Sequence, residues 1–137
     1  MAPEQDTAPG VVLVVDVANV MGSRPDGWWR DRAAAAIRLL DEIAPRLGQV
    51  VTTPDGVQLR VARVLAVLEG RARDVPVPEG IEAVRATADG DDAVVAVSTE
   101  LADVAELALV VTADRKLRTR LPPPTLVAGP RWLLRQT

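Results

Sequence analysis

Asp16 closes the apolar run of VVLVVDVANV, Asp91 and Asp92 follow a glycine in TADGDDAVVAV, and Asp114 lies just beyond the apolar stretch of LALVVTADRKLR. Each acidic position stands where a predicted strand has run out. In a parallel α/β sheet, such C-terminal strand ends open onto one crevice where ligands bind. Carboxylates gathered there repel one another unless a positive charge sits among them. The counter-ion suited to clustered Asp oxygens is a hard divalent cation such as Mg²⁺ or Mn²⁺.

Each of these residues also has a purely local use. Asp16 and Asn19 can shape a turn, and Asp91, Asp92 and Asp114 suit the N-cap or first turn of a helix, where the dipole favours negative charge. The functional reading makes Asp16 a metal ligand, with Asn19 placed to bind a water or a phosphate oxygen. A carboxylate ending so apolar a strand would be poorly solvated without a partner. Several such caps on one sheet edge, beside Asp16, favour a shared site. Glu69 also ends a strand, where it could pair with Arg71 or Arg73. The Arg115–Arg120 stretch is either a solvated face or, next to an acidic site, a holder of strand phosphates. Trp28 and Trp29 read as a partial core anchor rather than a base-stacking platform.

The composition excludes much other chemistry. The chain has no Cys and no His, so thiolate metal sites, imidazole bases, Ser-His-Asp triads and zinc hydrolase centres are absent. Any catalysis must run on carboxylates, hydroxyls, Lys/Arg and a bound metal. At 137 residues and 48% hydrophobic content, one ordinary globular domain is expected. Its core must be aliphatic, for Trp28, Trp29 and Trp132 are the only aromatic residues. The run Val11–Val15 is too short to span a bilayer, and MAPEQDTAPG lacks the basic and long apolar segments of a signal peptide. A soluble cytoplasmic protein is expected, without a membrane partner. A formal net charge of −3 exerts no global pull on nucleic acid.

Residues 1–9 read as a flexible tail and 10–137 as the single domain. Val11–Val15, Val61–Leu68, Ile81–Ala86, Leu107–Thr112 and Thr125–Ala128 are predicted strands, and Val50–Thr53 with Val57–Leu59 a small hairpin or irregular edge segment. Val17–Gly27 is expected to be a loop, with Gly22, Ser23, Pro25 and Asp26-Gly27 as turn formers. A helix is predicted from Trp28, with Ala33, Ala36, Ile37, Leu40, Ile43 and Leu47 as its apolar stripe. A second opens at Asp89–Asp92 with Val94, Val97, Leu101 and Val104 apolar. A short basic helix follows Asp114, and a last helical turn surrounds Trp132 and Leu133. Strands alternating with helices imply a three-layer α/β sandwich: a mainly parallel sheet of about five strands with helices on both faces.

The ordered set VVDVANVMGSRPDGWWRDR, GDDAVVAV and VVTADRKLR resembles the PIN-like nuclease superfamily, and within it the small NYN-type domains, over nearly the whole chain. The resemblance implies a PIN-like, Rossmann-like topology and a metal-dependent ribonuclease. It carries Asp16, Asn19, Asp92 and Asp114 over as the catalytic acidic site, with Asp91 as a close neighbour. Asp16, Asp92 and Asp114 would hold Mg²⁺ or Mn²⁺, while Arg115, Lys116 and Arg118 would bind substrate, single-stranded RNA. Two departures stand out. Val17 replaces the Gly that often follows the first Asp, and Lys116 replaces an acid found two residues beyond the strand-four Asp. A site short of that acid holds one metal rather than two, or holds it weakly. The alternatives are a non-catalytic PIN-like module binding nucleic acid or a protein partner, a second copy of the chain included, and a small-nucleotide phosphohydrolase. Other carboxylate folds fit less well: a haloacid-dehalogenase phosphatase needs an acid at Ala18, and a Toprim site needs one at Lys116. No P-loop pattern occurs.

Overall fold

The structure, a computed structural model, describes residues 8–136. The tail expected over residues 1–9 lies outside that range except for Ala8 and Pro9, and the Pro9 carbonyl accepts from the Arg60 amide at 2.8 Å.

β1 (Gly10–Asp16) is a run of valines and leucine buried from Val11 onward. β-Branched residues favour extended backbone. Alternate side chains then enter opposite layers: Val11, Leu13 and Val15 join one apolar cluster, Val12 and Val14 the other. Such a strand needs cover on both faces. β1 runs parallel to β3 (Gln58–Leu68) on one side and to β5 (Ala108–Val111) on the other. β4 (Ile81–Arg85) pairs in parallel with the second half of β3, and β6 (Leu126–Ala128) with β5. The hairpin strand β2 (Val50–Thr52) pairs antiparallel with the first residues of β3, Thr52 opposite Gln58. β3 therefore shares its outer edge between β2 and β4, and the sheet has the five expected parallel strands with β2 as a sixth, antiparallel one. The β2–β3 turn closes through the Thr53 hydroxyl, which accepts from the Val57 amide at 3.0 Å.

α1 (Val17–Gly22) and α2 (Arg32–Ile43) connect β1 to the β2–β3 hairpin on the first face. α3 (Gly90–Asp103) and α4 (Arg115–Thr119) cover the second, and α5 (Pro130–Gln136) returns Trp132 and Leu133 to the first. The crossovers β1→β3→β4 thus use one face and β4→β5→β6 the other. The switch falls between β1 and β5, where the two windings leave a crevice at the carboxyl ends of the strands. This is the expected three-layer α/β sandwich with a mainly parallel sheet. Among the described residues, no helix is long and apolar enough to cross a membrane.

Three expectations are corrected. The segment after Asp16 is a helix rather than a loop: Val17, Val20 and Met21 bury into the first cluster, and that burial overrides the weak helix propensity of the two valines and of Asn19. α2 starts at Arg32, capped by Asp31, whose carboxylate accepts from the Ala34 amide at 3.0 Å. Its buried face is Ala35, Ala36, Leu39, Leu40 and Ile43, leaving Ile37 and Leu47 at 36% exposure. Val104, at the C-cap of α3, is 64% exposed, and within the helix Ser98 occupies a core-facing position instead.

Candidate active site at the strand ends

Asp16 ends β1 opposite Val67 of β3, and only 5% of it is exposed. Its Oδ2 accepts a hydrogen bond of 2.9 Å from the Thr112 hydroxyl, at the end of β5. The same hydroxyl oxygen accepts from the Asp114 amide at 3.2 Å. Asn19, turned toward β5 by helix α1, accepts from the Ala113 amide through Oδ1 at 2.7 Å. The ends of β1 and β5 are thus tied by two side chains across the switch point. The Asn19 amide donors remain available after that bond is made.

Asp114 caps α4, its Oδ1 accepting from the Leu117 amide at 3.1 Å. Asp89 caps α3 in the same way, accepting from the Asp91 amide at 2.9 Å. Gly90, the first residue of α3, lies against the Glu69 side chain. A Cβ there would lie 1.9 Å from Glu69 Oε2, so its absence lets the Glu69 carboxylate rest over the start of α3. Glu69 forms no ion pair with Arg71 or Arg73 among the described residues.

These acids feel one another. Burial pushes the Asp16 carboxyl up to about 6, against the Thr112 hydrogen bond. The charges of Asp91 and Glu69 raise it further, while the nearby Asn19 backbone N–H acts the other way. Asp91 is also raised, first by burial, then by the charges of Asp114 and Asp89, by a hydrogen bond with the Asp114 carboxyl, and by Glu69.

The structure separates the two adjacent aspartates. Asp91 lies in the field of Asp16, Asp114 and Glu69. Asp92 was expected as the metal ligand of this pair, but its exposed carboxylate accepts from Arg120 at 2.7 Å. Consecutive helical residues point about 100° apart, so one of the pair faces the crevice and its neighbour faces α4. Arg118 likewise differs from the expected substrate contact: its Nε and Nη2 donate to the Thr112 carbonyl at 3.1 and 2.7 Å, bracing the end of β5. Arg115 and Lys116 are exposed on the first turn of α4. Thr112 was overlooked. Its signal was a hydroxyl ending an otherwise apolar strand.

The donors at this edge are all hard oxygens, the ligand type of Mg²⁺ and Mn²⁺. Among the described residues no group of three carboxylates converges closely enough to hold a metal ion. Mg²⁺ commonly uses one or two carboxylates and completes its shell with waters and substrate phosphate. The oxygen donors of this edge suit an ion held by one or two carboxylates rather than an all-protein cage.

No protein-family model matches the sequence, and no curated protein does. In three dimensions the chain is similar to Rae1 (YacP) from Bacillus subtilis, with a TM-score of 0.67 at 17% identity over 91% of this chain and 72% of that one. A tryptophan-to-leucine mutant of the same protein gives a TM-score of 0.64 at 18% identity, over 91% and 73% of the two chains. The likeness is one of fold.

Proposed function

We propose that this protein is a metal-dependent ribonuclease whose site is the carboxyl edge between β1 and β5. The observation that carries the reading is Asp16, buried at the switch point with the charges of Asp91 and Glu69 acting on it. A nearly buried carboxyl under like charge is the mark of a site built for a function. The PIN-like sandwich, shared with Rae1, supports it.

In this reading Asp16, together with Asp91 or Asp114, would hold Mg²⁺ or Mn²⁺, with waters and substrate phosphate completing the shell. When bound, the cation acidifies a water and offsets charge on the phosphoryl oxygens. Thr112 fixes the rotamer of Asp16 and ties it to the start of α4. Asn19, its carbonyl oxygen already engaged by Ala113, donates its amide protons to a phosphate oxygen. Asp92 holds Arg120 beside the edge, and Arg115 and Lys116 receive the phosphates of single-stranded RNA. Proximity and charge placement, rather than a protein nucleophile, do the catalytic work.

The test is cutting of a single-stranded RNA oligomer with Mn²⁺. Asp91→Asn and Asp114→Asn should each abolish it, whereas Asp92→Asn should leave most of it. An RNA oligomer should be a better substrate than free nucleotides. Cutting that survives Asp114→Asn would mark a contaminating nuclease and sink the assignment. A second reading, a non-catalytic module that binds RNA or a protein, is favoured by the lack of three converging carboxylates among the described residues and by Lys116. RNA bound but left intact across several metals would establish it.

A further inference from the structure

Beside the acidic edge, on the β3 side, lies a cleft of about 470 Å³. Val17, one residue past Asp16, forms part of its floor with Met21 and Trp28, and Glu69 stands in its inner wall. Arg32 and Arg71 line it as well. The Arg32 guanidinium sits over the Trp28 ring, 5.4 Å from its centroid. A second hollow, walled by Trp29, Arg30 and Asp31, shares Arg32 and Arg71 with the first. Among the described residues, Arg30, Arg32 and Arg71 make no ion pair. On a chain of net charge −3, guanidinium groups without carboxylate partners, Arg32 over Trp28 and Arg30 over Trp29 with Arg71 beside them, call for an anionic ligand with a flat apolar part.

We infer that this cleft is a nucleotide subsite, taking one base and its phosphate from single-stranded RNA next to the scissile position. The inference rests on the ribonuclease reading of the same edge and adds where the substrate lies. The size is that of a pocket for a small organic ligand. The base packs on Trp28 and the guanidinium plane above it, as unstacked RNA bases do on aromatic and Arg surfaces. Its exocyclic amino group meets the Glu69 carboxylate, and its phosphate meets Arg71. The strand then crosses the crevice from β3 toward β5, passing Asp16 and reaching Arg115 and Lys116. Trp28 therefore has two uses, since its inner part also packs against the first apolar cluster.

The experiment is fluorescence anisotropy of a short labelled RNA in chelator at physiological ionic strength, where neither cutting nor a cation enters the measurement. Arg71→Glu and Trp28→Leu should each weaken binding by about tenfold. Arg135→Glu, the same charge change at the end of α5, should weaken it by no more than about twofold. Should Trp28→Leu lose its fold by circular dichroism, the exposed Arg71 variant carries the comparison. Equal losses for Arg71→Glu and Arg135→Glu would reduce the effect to net charge and overturn the subsite. A wild type that cuts RNA while binding is indifferent to Arg71 keeps the nuclease and removes the subsite. Arg71-dependent binding without cutting does the reverse.

Discussion

The Thr112 hydroxyl donates to Asp16 Oδ2 at 2.9 Å and accepts from the Asp114 amide at 3.2 Å, so one buried side chain joins a strand end to a helix start. Thr112→Val keeps the shape and removes both bonds. The orphaned carboxylate and amide should cost about 2 kcal/mol in urea unfolding at pH 8. The cost should shrink at pH 4, where Asp16 is protonated. Thr112→Ser should recover most of the loss. Equal destabilisation by Val and Ser would mean that the methyl group, not the hydroxyl, matters.

Asp16 sets a pH dependence of stability. Its folded value of about 6 lies above the ordinary 3.8, so the folded state binds the proton more tightly than the unfolded chain. Its contribution is therefore fully present below pH 4, falls as pH rises through 6, and is flat above. The span is about 3 kcal/mol if the whole shift is realised. Asp16→Asn should remove this slope and, without divalent cations, be more stable than wild type at pH 8. An unchanged slope in the variant would assign it to other groups.

Metal should act in the opposite direction. Mn²⁺ or Mg²⁺ bound among Asp16, Asp91 and Asp114 should raise the melting temperature of wild type by several degrees through mass action. Chelator should reverse the rise. Asp16→Asn and Asp91→Asn should lose it, and Asp92→Asn should retain it. A response lost in Asp92→Asn but kept in Asp91→Asn would reverse the assignment of the two neighbours.

Gly90 and Glu69 should behave as a unit. A methyl group at Gly90 displaces the end of a flexible side chain rather than backbone, so Gly90→Ala should change stability by less than about 1 kcal/mol. It should nonetheless lower RNA cutting as much as Glu69→Gln does, and the double variant should be no worse than either. Additive losses would place the two residues in separate roles.

The layered architecture and the edge that carries the acids are legible in the residues alone. Unbroken β-branched runs such as Val11–Val15 bury on both faces, and the helical segments between them force parallel pairing; Asp16 and Asp114 then fall at the same ends. Period alone could not say which of Asp91 and Asp92 faces the crevice, because either suits the first turn of a helix. That was decided by the rotation of α3 packed over β1, β3 and β5, which also gives Asp92 to Arg120. The helix at Val17–Gly22 was hidden for a similar reason: Val17, Asn19, Val20 and Gly22 favour turns and strands locally, and burial of Val17, Val20 and Met21 tips the segment to helix. The partnership of Thr112 with Asp16 joins residues 96 positions apart, and Arg118 turns to the Thr112 carbonyl from a helix that looked free to bind phosphate. Contacts of that range depend on strand order, and strand order is set by the packing of both helical layers at once.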